Sequence, residues 1–360
     1  MTTNFDFQAH PLVAIWETNA RSGPQMGDIV QFPGGDHMEL TDREAEQLIR
    51  DIAELQPAVF ILTGADPLGR ESIYSLLQYA ASSGLHPNMI LGPNSEPART
   101  AIADLKSAGL SRLGLTLEAG NAALHDHLCG IVGSYERTLA TIKWANECRL
   151  PIQIHTNLRR RNLHNLRQIA SVISRFRILG WSISFPVPQP RESLHELPSA
   201  GEFEEAFSTI HELAHELPFK VKTVDAPHYR RFVVQQRTTA RVAAGGLRLL
   251  PSLHGGIPGI LPINQERASI FISSTGEIFP SRGLRVAAGN TRTHNLAEVY
   301  RNSLLFQALR DPGNLKGKCS YCEFKDLCGG SRARAWAVHG DVFAEEPCCS
   351  YLPAAARKIG

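Results

Sequence analysis

Ala58-Val-Phe-Ile-Leu-Thr-Gly-Ala-Asp-Pro67 reads as a short buried strand running into a polar turn, and residues 70–83 after it read as a helix. Outward from this unit the same pattern recurs. Apolar runs at 12–16, 89–91, 112–117, 151–155 and 181–185 alternate with amphipathic stretches at about 40–55, 97–108, 134–148, 163–176 and 202–217. Thr41 and Glu44 have the spacing of a capping box, which fixes the start of the first helix. Six β-then-α units with continuous apolar strands predict an α/β chain with a parallel sheet covered by helices, either doubly wound or a full or partial barrel. In each case a ligand lies at the carboxyl ends of the strands. Those ends carry Glu17-Thr18-Asn19, Thr63-Gly64-Ala65-Asp66, Gly92-Pro93-Asn94, Glu118, and His155-Thr156-Asn157.

The other decisive stretch is near the end of the chain. Cys319-x2-Cys322-x5-Cys328 and Glu346-Pro347-Cys348-Cys349 hold five of the seven cysteines. Two thiols separated by two residues can face one centre, a third closes a side, and a returning segment brings a fourth. Four thiolates suit zinc or an iron–sulfur cluster. Met1-Thr-Thr-Asn-Phe-Asp6 is polar and unlike a secretory leader, so a cytoplasmic location and reduced thiols are expected. Before the cysteines, residues 268–279 predict a hairpin turning at Thr275-Gly276, and 297–309 a helix.

Composition excludes several classes. A hydrophobic fraction of 43% with 20% charged residues is that of an ordinary globule, and no apolar run approaches the ~18 residues of a membrane span. A net charge of +2 makes no case for a nucleic-acid or membrane partner, and Arg159-Arg160-Arg161 reads as a solvated loop face.

Taken together, the chain resembles a radical S-adenosylmethionine (SAM) protein with a C-terminal SPASM/twitch-type domain, in the branch that includes haem-biosynthesis and peptide-modifying members. The resemblance is carried by Trp16-Glu17, Thr63-Gly-Ala-Asp-Pro67, His125-Asp126 with Gly133-Ser134, Thr275-Gly276-Glu277, Gly340-Asp341 and the cysteine block. It implies a partial (β/α)6 TIM-like barrel with a small C-terminal α+β cluster-binding domain. The expected division is residues 1–235 for the barrel, 236–262 for an irregular connector and 263–360 for the cluster domain. It implies one auxiliary [4Fe–4S] cluster on Cys319, Cys322, Cys328 and Cys349, with Cys348 as fallback and zinc as the alternative metal. Ser281, Ser331 and Arg332 stand where members with a second auxiliary cluster carry more cysteines.

One departure sets the functional expectation. Members carry C-x3-C-x2-C after the first strand, and the matching positions here are Ser22, Met26 and Ile29. The loop 19–28 holds neither Cys nor His, and Cys129 and Cys148 read as single buried side chains. The SAM contacts also differ: Gly64-Ala65-Asp66-Pro67 replaces Gly-Gly-Asp/Glu-Pro, and His155 replaces a strand-five Asn. Gly64, Ala65, Asp66, Glu118 and His155 are the candidate remnants of a SAM site, and SAM binding is left in doubt. The expectation is a degenerate, SAM-inactive relative acting as a binding, partner or electron-transfer subunit for a peptide or tetrapyrrole, alongside an active enzyme. The alternative is an enzyme using the barrel mouth with SAM or another nucleotide in non-radical chemistry, or with unusual cluster ligands. Glu17, Asp66, Glu118 and His155 are its candidate groups.

Overall fold

The computed structural model describes residues 6–20, 38–188, 191–243 and 265–355. Six repeats of strand and helix run β1 (Val13–Glu17), α1 (Asp42–Leu55), β2 (Val59–Thr63), α2 (Ile73–Ser82), β3 (Pro87–Leu91), α3 (Arg99–Ser107) and β4 (Arg112–Thr116). Then come α4 (Ala122–Cys129), α5 (Ser134–Glu147), β5 (Ile152–Asn157), α6 (Leu166–Ile173), β6 (Gly180–Ser184) and α7 (Ala200–Glu216). A seventh unit, β7 (Lys220–Val224) and α8 (His228–Ala243), completes the wall. The strands β1 to β7 pair in parallel in sequence order, and the curved sheet does not close into a full barrel.

The seventh strand was not foreseen because it does not look like the others. Lys-Val-Lys-Thr-Val alternates, as suits the edge of an open sheet with one wet face, whereas inner strands such as β1 and β2 are continuous apolar runs. Two further boundaries differ from expectation. Residues 236–243 belong to α8, so the connector expected over 236–262 is helical at its start, while 244–264 lie outside the described residues. The single helix expected over 297–309 is two, α9 (Leu296–Asn302) and α10 (Leu304–Arg310), because Ser303 leaves helical geometry and caps the second through Phe306 N–H.

Strand alternation decides what each wall residue does. Ala14, Trp16, Phe60 and Leu62 point outward into the layer beneath α1 and α2 and are fully buried. Val13, Ile15, Val59, Ile61 and Thr63 face the barrel interior. The capping box is present: Glu44 N–H donates to Thr41 Oγ1 at 3.3 Å and Thr41 N–H to the Glu44 carboxylate at 2.8 Å. Ser199 and Glu202 repeat it on α7.

The chain then returns to the first strand. β8 (Ser269–Ile272) pairs in parallel with β1, and β9 (Glu277–Phe279) and β10 (Gly289–Asn290) extend the sheet antiparallel. The hairpin turn at Thr275-Gly276 has Gly276 at φ 89°, the left-handed region that favours glycine. The tail, with α11 (Arg332–His339), meets the barrel where Arg334 reaches the carbonyls of Pro186 and Asp225 past β6 and β7. Among the described residues no helix is long and apolar enough to cross a membrane.

Candidate functional site

The mouth of the barrel is knitted by side chains. Asn19, just past β1, accepts from Asp66 N–H through Oδ1 at 3.3 Å and donates through Nδ2 to the Asp66 carbonyl at 2.5 Å; its own carbonyl accepts from Ala65 N–H at 3.2 Å. A Cβ at Gly64 would stand 2.5 Å from Asn19 Oδ1, so this approach needs glycine. Asn94 Nδ2 donates to the Ala65 carbonyl at 2.6 Å, and Ser95 Oγ to the Asp66 carboxylate at 2.8 Å. Gly64, Ala65 and Asp66 thus form one turn in which the peptide groups of Ala65 and Asp66 already have partners.

Glu118 and His155 do not meet in the same way. The Glu118 carboxylate accepts from Asn157 N–H at 2.8 Å and Nδ2 at 2.6 Å, so Asn157 is the β5 residue at the mouth. His155, two residues back along β5, faces the interior one layer lower, level with Thr116, Ser182 and Lys222. Desolvation, then the nearby Lys222 and Arg112 charges, push its imidazole down to about 3, so it is neutral at physiological pH. Glu17 is buried at the end of β1. Burial pushes its carboxyl up, against the pull of Arg282 and Arg285, and Oε2 has no hydrogen-bond partner.

The His125-Asp126 pair has a structural role. Asp126 receives Gly133 N–H at 2.6 Å, Ser134 Oγ–H at 3.0 Å and Tyr135 N–H at 2.9 Å, fixing the start of α5. His125 Nδ1 accepts Glu118 N–H at 3.1 Å, which orients the backbone beneath the Glu118–Asn157 contact. Cys129 lies 3.6 Å from His125 Nε2, buried, its thiol pushed up to about 12 mainly by desolvation.

Below the mouth the barrel encloses about 570 Å³. Among the described residues, Arg112, Arg159, Arg161, Lys222, Arg230, Arg282 and Arg285 line it, against the carboxylates of Glu196 and Asp225. Arg161 already pairs with Glu196 at 2.7 Å. On the β4–β7 wall, Arg112 Nη1 donates to Gln153 Oε1 at 2.9 Å and Gln153 Nε2 to Ser182 Oγ at 2.5 Å. Desolvation and the Arg112 charge lower the Lys222 ammonium from its usual range. Sequence reading passed over Lys222 and Arg112 because a cation in a strand normally marks the solvated face.

The second cavity lies in the tail. Cys319, Cys322, Cys328 and Cys349 all line it. Each sulfur accepts a backbone N–H: Glu346 N to Cys319 Sγ at 3.4 Å, Gly330 N to Cys328 Sγ at 3.3 Å, Phe324 to Cys322 and Tyr351 to Cys349. Such donors suit thiolates. Cys348 behaves differently: its thiol points to the Pro198 carbonyl at 3.8 Å and packs in the main core. Among the described residues no three Cys, His, Asp or Glu side chains converge as a single metal ion needs. Four thiols lining one cavity are a donor set that an iron–sulfur cluster or a zinc ion would take.

A buried ion pair ties this cavity to the barrel. Arg334 Nε donates to Glu346 Oε1 at 2.8 Å, both side chains being at most 1% exposed. Arg334 also donates to the Pro186 carbonyl after β6 at 2.8 Å and the Asp225 carbonyl after β7 at 2.7 Å. Burial raises the Glu346 carboxyl, but Arg334 and the other partners outweigh it and hold it at about 2. A carboxyl depressed on folding gives stability that is present above about 4.5 and lost as pH falls toward 2. Denaturant unfolding from pH 6 to pH 3 should show a steeper loss for the wild type than for Glu346→Gln; parallel slopes would count against the pair.

Residues 23–173 match the radical SAM superfamily. The chain belongs to that superfamily, as near full-length similarity also shows. An AdoMet-dependent heme synthase of Methanosarcina barkeri is 33% identical over 316 residues, covering 88% of each chain. A PqqA peptide cyclase of Bradyrhizobium diazoefficiens is 23% identical over 88% of this chain and 79% of that one. The crystal structure of Streptococcus suis SuiB bound to S-adenosylmethionine superposes with a TM-score of 0.70 at 12% identity, covering 95% of this chain and 76% of that chain. The superfamily is one of iron–sulfur and SAM-binding proteins.

This similarity overturns the expectation of a degenerate binding or electron-transfer subunit. Relatives named as heme synthases match at 31–33% identity over 88–89% of the chain, and these are enzymes. The ligand count behind that expectation rests on one loop, and Ser22, Met26 and Ile29 lie outside the described residues. The ligand fact itself stands: the first cysteine is Cys129, so the residues at the mouth do not fit a cluster held by three thiolates of this chain.

Proposed function

We propose that this protein is a SAM-dependent enzyme whose barrel binds a tetrapyrrole bearing carboxylate side chains. The observation that carries the reading is the cationic interior, where Arg112 and Lys222 face the cavity from β4 and β7 with no carboxylate partner among the described residues. Arg112 Nε is buried without a hydrogen-bond partner among the described residues, Lys222 opens onto the same cavity, and a ligand's carboxylates would pair both. The haem-forming activity named for the relatives most alike over this chain points to the same substrate class. SAM would lie at the mouth, against the Gly64-Ala65-Asp66 turn and the Glu118–Asn157 contact. Because the mouth offers no three thiolates, the reaction assigned here does not depend on a cluster so held.

In this reading residues 1–235 form the catalytic barrel, and 263–360 carry one auxiliary [4Fe–4S] cluster on Cys319, Cys322, Cys328 and Cys349, joined through 236–262. When bound, the cluster supplies a one-electron donor or acceptor beside the barrel; the chain's own groups position it and exclude water.

Porphyrins with two, four and eight carboxylates, titrated by Soret absorbance, test the substrate class. Affinity should rise with carboxylate number, and Lys222→Met should weaken the best ligand about tenfold, roughly 1.4 kcal/mol. Affinity blind to carboxylate number, or unmoved by Lys222→Met, rejects the assignment. Calorimetry with SAM tests the cosubstrate, and no heat of binding would remove it.

A further inference from the structure

His228, the first residue of α8, is fully buried. Its ring stacks on Phe203 with centroids 5.3 Å apart and meets Phe207 edge-on at 4.8 Å. It lines the same small cavity as Cys319, Cys322, Cys328 and Cys349. Among the described residues neither ring nitrogen has a partner at full hydrogen-bond geometry; a backbone contact with Cys348 is the weakest of the influences on the ring. A buried donor left unpaired costs about 1–3 kcal/mol, and a phenyl ring would fill this aromatic niche without that penalty. The acidic neighbour cannot relieve it. The Glu346 carboxylate is already taken by Arg334 and by the N–H groups of Ser331 and Cys348. Beyond that loose backbone contact, what remains for the imidazole is the cavity, lined by four thiols, where a cluster would offer sulfur acceptors.

We propose that His228 donates a hydrogen bond to a sulfur of the cluster held by Cys319, Cys322, Cys328 and Cys349, and thereby sets its reduction potential. This rests on the cluster reading above. A donor to a cluster sulfur withdraws electron density and stabilises the charge added on reduction, so it raises the potential. Phe203 and Phe207 hold the ring in place, and because they come from α7, the cluster's potential is tied to the barrel wall.

The experiment uses the full chain, purified anaerobically, as wild type, His228→Leu and His228→Gln. Iron and sulfide are assayed first, and the midpoint potential is then read by EPR-monitored titration. His228→Leu should keep its iron and sulfide but titrate at a more negative potential, and His228→Gln, which retains an N–H donor, should recover much of that shift. Wild-type protein labelled with ¹⁵N-histidine should show a nitrogen coupling to the reduced cluster by pulsed EPR. An unshifted midpoint in loaded His228→Leu overturns the proposal. If that variant fails to load, an absent nitrogen coupling in the labelled wild type overturns it instead. Wild-type protein without iron and sulfide would defeat the cluster reading, a separate and distinguishable failure.

Discussion

Cys349→Ala should leave the anaerobically purified protein without its brown colour, while Cys348→Ala should stay coloured with unchanged iron and sulfide. The two thiols are neighbours in sequence, so a merely local disturbance would affect both. They differ in where the backbone points them. Cys349 lines the cavity with the other three tail cysteines and accepts the Tyr351 N–H; Cys348 packs into the main core facing Pro198. In the proposed cluster reading, removing a ligand couples to folding of the segment around it, since the other three thiolates and their oriented N–H groups would lose their centre. Removing the Cys348 sulfur takes one buried heavy atom from the core, costing about 1 kcal/mol. Iron and sulfide assays with visible spectra decide it, and the reverse result would move the fourth ligand to Cys348.

The second large effect is expected at Arg334. Arg334→Met should destabilise the fold by about 3–5 kcal/mol, because it leaves the buried Glu346 carboxylate without its counter-charge and two strand-end carbonyls without donors. Glu346 also receives the N–H groups of Ser331 and Cys348, at 2.6 Å and 3.1 Å, so its loss of position reaches both ends of the cysteine block. Urea unfolding gives the magnitude. The double variant Arg334→Met with Glu346→Leu separates pair from charge: it should regain part of the loss, since an apolar pair of similar volume avoids the stranded carboxylate. A change below about 1 kcal/mol, the scale of an exposed pair, would show that the network is not holding the tail to the barrel.

Much of the barrel was legible in the chain because its inner strands bury one face under the helices and line the barrel interior with apolar residues on the other. Such strands read as continuous apolar runs, and residues 59–62 announce themselves, with Phe60 and Leu62 buried and Val59 and Ile61 toward the interior. The strand β7 was not legible for the converse reason, since an edge strand alternates and its lysines look solvated. The tail cysteines were legible because ligand chemistry constrains both residue type and spacing. Between the neighbours Cys348 and Cys349 the resemblance favoured Cys349 and kept Cys348 as fallback; the path of the backbone puts the Cys349 side chain at the cavity and Cys348 in the core.

The sequence by itself determined the α/β class, the cysteine block, and the absence of thiols from the first 128 residues. Each is a matter of which atoms are present and how local hydrophobic patterning drives strand and helix. Only the tertiary structure decided that Asn157 rather than His155 meets Glu118, that Arg112 and Lys222 face one cavity, and that His228 closes on the cysteines. Those are meetings between residues tens to more than a hundred positions apart. They depend on register and curvature, which the parallel sheet sets by packing its helices and not by any local run of residues.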